Sequence, residues 1–228
     1  MYDYMTGSFI NNVNDDWTEH FETTYYIKYN IEKALYSLNK ISDKRPNINE
    51  FSNRCTYYHF YIDSLVDAIG NIKNRFSFNN RKSIDNERVK RNIKEYNFGM
   101  INSDNEIINT NYKSLNKEVR NFMQHIDEKD EALIRDNIYF GTFNVIYKGM
   151  NLNVKNDLLN PLKKQNNLLN LIDKTYVVYS ENGKNKFGKA KYKELRINLI
   201  DLENELLKLK KVNDNIYSYL TDKIFCED

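Results

Sequence analysis

The sequence predicts a mainly α-helical fold, a helical bundle with a small β-rich insertion before its C-terminal helix. Three observations carry this expectation. Only 2 prolines and 7 glycines interrupt 228 residues, and both residue types break helices. Apolar side chains recur at three- and four-residue spacing over long stretches, the pattern of one buried helix face. One later segment is instead β-branched and aromatic, as strands are. The length is enough to bury a genuine core. No internal repeat or linker divides the chain, so residues 1–228 read as one domain. Its expected parts are a helical region over 14–135, a β-rich insertion over 137–180 and a closing helix over 189–221.

The first helix is expected from Asp16 to about Lys40. Trp17, Phe21, Thr24/Tyr25, Lys28, Ile31, Leu35 and Leu38 define its inner face, with the alkyl stem of Lys28 covering one gap. Asn14 or Asp15 can cap its start, and Pro46 marks its end. The second helix is clearer still. Phe51, Cys55, Tyr58, Ile62, Leu65, Ile69, Ile72 and Phe76 form one continuous stripe. A polar stretch follows, with a short helix expected around Asp85–Tyr96 and then loops rich in Asn and Ser. A further helix is expected from Lys113 to about Ala132, with Leu115, Val119, Phe122, Met123 and Ile126 on one face.

Residues 138–154 then read as a β-hairpin turning near Gly149. Thr175–Ser180 reads as another extended piece, followed by a tight turn at Asn182-Gly183. The last helix, about Lys189 to Thr221, carries Leu195, Leu199, Leu202, Leu206, Leu209 and Val212.

Composition narrows the function without choosing it. Hydrophobic residues make up 40% and charged residues 29%, the balance of a water-soluble globule. A net charge of +2 does not by itself declare a nucleic-acid partner, so the distribution of charge has to decide. The 2 cysteines, Cys55 and Cys226, lie far apart without a neighbouring Cys or His, which fits reduced, incidental thiols and no disulfide scaffold. The N-terminus has neither a basic start nor an apolar run, and no stretch reaches the roughly 18 apolar residues of a membrane helix. A cytoplasmic location without membrane association is expected. No phosphate-binding Gly loop and no nucleophile elbow is present. The carboxylates Asp127, Glu128, Asp130 and Glu131 match no metal-binding pattern, so neither a metal nor another cofactor is expected.

The chemistry-bearing motif is Arg120-Asn121-Phe122-Met123-Gln124-His125. At about 100° per residue, Val119, Phe122 and Ile126 point to the core while Arg120, Asn121 and His125 share the polar arc. Asn121 and His125 are one turn apart, so the amide can orient the imidazole. Arg120 is displaced from His125 by about 140° around the axis, so the two flank a groove. The residue types suit RNA cleavage without a metal. An imidazole can take a proton from a 2′-hydroxyl or give one to the leaving oxygen. A guanidinium can bind the charge that gathers on the phosphate. On residue types alone the plainer reading is a solvated polar face.

The motif resembles the signature of the HEPN superfamily, an Arg and a polar residue, then three variable residues and His. Ile126-Asp127-Glu128 is similar to a continuation seen in some bacterial members. The resemblance covers about Asn116 to Asp130, together with a layout of two long helices, a polar stretch, the motif helix and a closing helix. It reverses the order of the two readings. It implies a metal-independent endoribonuclease with Arg120, Asn121 and His125 as its catalytic residues, working as a homodimer through the motif helix and leaving a 2′,3′-cyclic phosphate. Roles as a toxin, with an antitoxin or another regulator as partner, or in phage defence would follow. The β-rich insertion falls outside the family's helical core. The alternative is a non-catalytic binding or scaffold protein keeping the same framework for dimerisation or nucleotide binding.

A basic stretch runs through Arg75, Arg81, Lys82, Arg88, Lys90, Arg91 and Lys94, with Phe76, Phe78 and Tyr96 interleaved. It reads equally as an RNA-binding stripe, with Arg81, Lys82, Arg88 and Arg91 holding phosphates, and as a solvated helix face. The run Lys184–Lys193 is a weaker candidate of the same kind. His20 and His59 sit beside aromatic helix faces and read as packing residues.

Overall fold

A computed structural model describes residues 2–3, 8–9, 15–42, 54–77, 83–98, 100–101, 107–109, 112–115, 138–139, 143–160, 164–165, 167–184 and 190–225. It is mainly helical with a small sheet. The helices are α1 (Asp15–Ser42), α2 (Arg54–Asn74), α3 (Ser83–Glu95), α4 (Leu152–Leu158) and α5 (Leu199–Phe225). Helix α1 packs against both α2 and α5. Ile27, Ile31, Ala34, Leu38 and Ile41 of α1 are buried, as are Tyr58, Ile62, Leu65, Ile69 and Ile72 of α2. In α2 the expected stripe is buried from Tyr58 to Ile72, and Phe51 lies outside the described residues. Of the face expected for α1, Phe21, Thr24, Ile31 and Leu38 are buried, but Ile27 and Ala34 are buried beside Lys28 and Leu35, which are half-buried. Tyr25 falls outside that face and is exposed, as is Cys55.

The strands are β1 (Tyr2–Asp3), β2 (Ser8–Phe9), β3 (Met100–Ile101), β4 (Ile107–Asn109), β5 (Ile138–Tyr139), β6 (Asn144–Ile146), β7 (Lys164–Gln165), β8 (Leu168–Asn170), β9 (Thr175–Lys184) and β10 (Ala190–Asn198). Four of them form one sheet in the order β10-β9-β8-β6. Strand β6 runs parallel to β8, and the other pairs are antiparallel. Tyr176, Val177, Val178 and Tyr179 are all buried. Successive strand residues point to opposite faces, so β9 is covered on both.

Four expectations need correction. The described residues of 138–154 form no hairpin with one another. Their strands pair in parallel with β7 and β8, and the turn at Gly149, φ +90°, leads into α4. That helix is capped by Asn151, whose side chain accepts from the Asn153 N–H at 2.9 Å. Alternation marks a strand and leaves its partner unspecified. Asn182-Gly183 lies within β9, and pairing of Lys184 with Ala190 places the reversal between them.

The closing helix begins at Leu199, ten residues later than expected and running on to Phe225, and residues 190–198 are strand. Leu195 and Ile197 are buried while Glu194, Arg196 and Asn198 are exposed, a two-residue period. The four-residue step from Leu195 to Leu199 fits either geometry, and the helix starts where the Asn198 side chain accepts from the Ile200 and Asp201 N–H groups at 2.9 and 3.2 Å. That is an N-cap. Finally, Lys113–Leu115 is not helical, and the remainder of that expected helix lies outside the described residues.

Where the chain enters β8, Asn167 takes a left-handed backbone, φ 56°. Its carbonyl accepts from the Asn144 N–H at 2.9 Å, and its side-chain oxygen accepts from the buried Tyr176 hydroxyl at 2.8 Å. One residue thereby ties β6, β8 and β9. Tyr176→Phe removes the donor from a site that water does not reach and is expected to cost about 1–3 kcal/mol, read as a lower urea midpoint with an unchanged slope.

Candidate functional site

A cavity of about 670 Å³ opens between α1, α3 and α5, lined by Trp17 and His20 of α1, Arg91 and Glu95 of α3, and Asn215, Ile216 and Tyr219 of α5. Each helix supplies residues three or four positions apart, which helical geometry places on one face. Trp17 and Tyr219 form an aromatic wall, their ring centroids 6.3 Å apart at 53°. His20 is 8% exposed, and its Nε2 lies 2.7 Å from Glu95 Oε2. Beside this pair Arg88 bonds Glu19 at 2.9 Å, so two polar links hold α3 to α1.

The seam between α3 and α5 concentrates polar groups that the protein does not satisfy. Among the described residues, Nε and Nη2 of Arg91, Oδ1 of Asn92, Nδ2 of Asn213 and Oδ1 of Asp214 are buried without a hydrogen-bond partner. Each such atom costs on the order of 1–3 kcal/mol, more on a charged group. Buried polar atoms are normally paired, and orphans call for a cause. The neighbouring Tyr96 hydroxyl is satisfied, donating to Asn213 Oδ1 at 2.8 Å. Burial, above all, holds that phenol well above its usual range and therefore protonated.

The structure distributes the sequence-predicted residues unevenly. Arg120, Asn121 and His125 lie outside the described residues, as do Arg81, Lys82 and the carboxylates 127–131. Residues 112–115, upstream of the motif, are anchored. Tyr112 and Leu115 are buried, and the Ser114 N–H donates to both carboxylate oxygens of Glu205 on α5, at 2.8 and 3.1 Å. Arg88 is engaged by Glu19, whereas Arg91 reaches the cavity. His59 stacks on Phe143, 4.8 Å between centroids and 10° from parallel, which is packing. His20 is packed too, yet it also lines the cavity. The only hint of that in the sequence was the pair Arg91 and Glu95, four residues apart on α3. No group of three or more His, Cys, Asp or Glu able to hold a metal occurs among the described residues. No described helix is long and apolar enough to cross a membrane.

Comparison with known proteins finds no matching family model, and no curated protein and no solved structure that matches the chain.

Glu205 makes the attachment of the motif segment sensitive to pH. Desolvation raises its pKa, and the N–H of Ser114 opposes that rise. The folded chain therefore keeps this proton to a higher pH than the unfolded chain does. Stability from this group is full below the ordinary carboxylate range and declines as pH rises through the raised pKa. In urea titrations run upward in pH from the ordinary carboxylate range, wild type is expected to lose stability relative to Glu205→Gln, whose side chain does not ionise.

Proposed function

We propose that the chain is a metal-independent endoribonuclease of the HEPN type. Arg120-Asn121 followed by His125 carries the reading, and it is supported by the mainly helical frame and by the anchoring of Ser114 and Leu115 just before the motif. The active unit is a homodimer in which two motif helices meet. One imidazole accepts the 2′-hydroxyl proton as that oxygen attacks the adjacent phosphorus. A second, protonated imidazole gives its proton to the departing 5′-oxygen. The P–O5′ bond breaks, leaving a 2′,3′-cyclic phosphate and a 5′-hydroxyl. Arg120 binds the charge on the non-bridging oxygens. Asn121 orients the imidazole without adding a competing charge. A toxin or phage-defence role fits this chemistry.

Purified protein is expected to cleave tRNA, rRNA or mRNA in excess EDTA. His125→Ala and Arg120→Ala should each lower the rate by roughly 10²–10⁴-fold with unchanged circular dichroism. Products should carry cyclic-phosphate ends. Activity indifferent to both substitutions, or no cleavage of any of these RNAs, would discard the catalytic assignment in favour of a binding or scaffold protein.

A further inference from the structure

The cavity between α1, α3 and α5 has a chemistry of its own. Its lining divides into an apolar part, Trp17, Ile216 and Tyr219, and a polar part, His20, Arg91, Glu95 and Asn215. A volume of about 670 Å³ lies within the roughly 300–1,000 Å³ usual for small-molecule sites.

Arg91 is the cation that lines the cavity, and its Nε and Nη2 atoms have no partner. These two nitrogens form the edge of a guanidinium that pairs side by side with two oxygens of a phosphate or carboxylate. A phosphate or carboxylate oxygen bound beside Arg91 would give this buried edge the partner it lacks. Glu95 is held through Oε2 by His20, and a carboxylate has further lone pairs for donors. Asn215 both donates and accepts. Tyr219 is 53% exposed and, with Trp17, offers an aromatic surface for a flat ring.

A ligand that satisfies all of these groups needs an anionic end for Arg91, hydroxyl or amino donors for Glu95 and Asn215, and a planar face for Trp17 and Tyr219. Inorganic phosphate lacks the ring, and an aromatic carboxylate without hydroxyl or amino groups lacks the donors. We infer that this cavity is a nucleotide-binding site, taking one base, ribose and phosphate either as a free nucleoside monophosphate or as one unit of single-stranded RNA. The proposal stands whether or not the chain cleaves RNA.

The chain has 1 tryptophan, and it is Trp17, so intrinsic tryptophan fluorescence reports on this cavity alone. The test titrates full-length protein with AMP, GMP, CMP and UMP, with adenosine, with inorganic phosphate, and with a hexanucleotide RNA bearing 5′- and 3′-hydroxyl ends. His125→Ala is used throughout to keep the RNA intact, and calorimetry provides a second readout. At least one monophosphate or the hexanucleotide should change Trp17 emission saturably. Arg91→Gln should weaken that binding roughly 10- to 100-fold. Tyr219→Leu, at an exposed position that folding tolerates, should weaken it roughly tenfold. Tighter binding of the hexanucleotide than of any monophosphate identifies RNA as the source, and the reverse order identifies a free nucleotide. The proposal is overturned by either of two results. One is no saturable binding of any nucleotide or the RNA by either readout. The other is binding unchanged in both variants, or equalled by inorganic phosphate alone.

Discussion

One face of α1 packs against α2 while an adjoining arc packs against α5, so a single helix sets the spacing of the whole bundle. Ile27, Ile31 and Ala34 are completely buried in that double interface. Each isoleucine there contributes about 1.5–3 kcal/mol of burial free energy. Helices from opposite ends of the chain are thereby brought beside one another, as Phe21 and Tyr217, their ring centroids 5.1 Å apart, illustrate. The cavity exists because α1 reaches past its packed region toward α3 and the late turns of α5. Without the shared face of α1 its seven lining residues would have no reason to meet.

The helical part of the fold was legible in the sequence because helix-forming information is local. Of the stripe expected on α2, Tyr58 to Ile72 is buried and Phe76 is buried just past the helix end, while Cys55 is exposed. Helix α3 lies within two residues of its expected position. The β-rich part was legible only as composition. Asn144–Ile146 has the residues of a strand, but its parallel pairing to Leu168–Asn170 depends on burial in a sheet that forms from distant segments. The boundary at Asn198 was missed because Leu195 and Leu199 satisfy both periods, although the cap itself is a local signal. For the site, legibility ran in opposite directions. The Arg120–His125 motif is entirely a sequence observation. The cavity is entirely a tertiary one, since His20 and Glu95 are 75 residues apart and each alone reads as an ordinary surface or packing residue.

The seam between α3 and α5 shows that the interior is not optimised for stability alone. Asn92 and Asn213 each use one end of the side-chain amide, on the Arg75 carbonyl and the Tyr96 hydroxyl, and leave the other end without a partner. Leaving those ends unpaired costs stability that other parts of the bundle must offset. Polar groups kept under such conditions have a use besides holding the chain together, which is why the seam, and not the well-satisfied surface ion pairs, is the informative part of the electrostatics.

Strand β10 passes into α5 with no intervening loop: Asn198 ends one and Leu199 begins the other. The junction is locked further, because the Leu199 N–H donates to the Lys174 carbonyl at 2.8 Å, just ahead of β9. A hinge needs backbone torsions that are free to turn, and here they are committed on both sides to strand pairing or helix bonding. Sheet and bundle consequently behave as a crank, with α5 as its arm. The arm carries Glu205, Asn215 and Tyr219, so the sheet, the cavity and the anchor of Ser114 share one element with no loop between them.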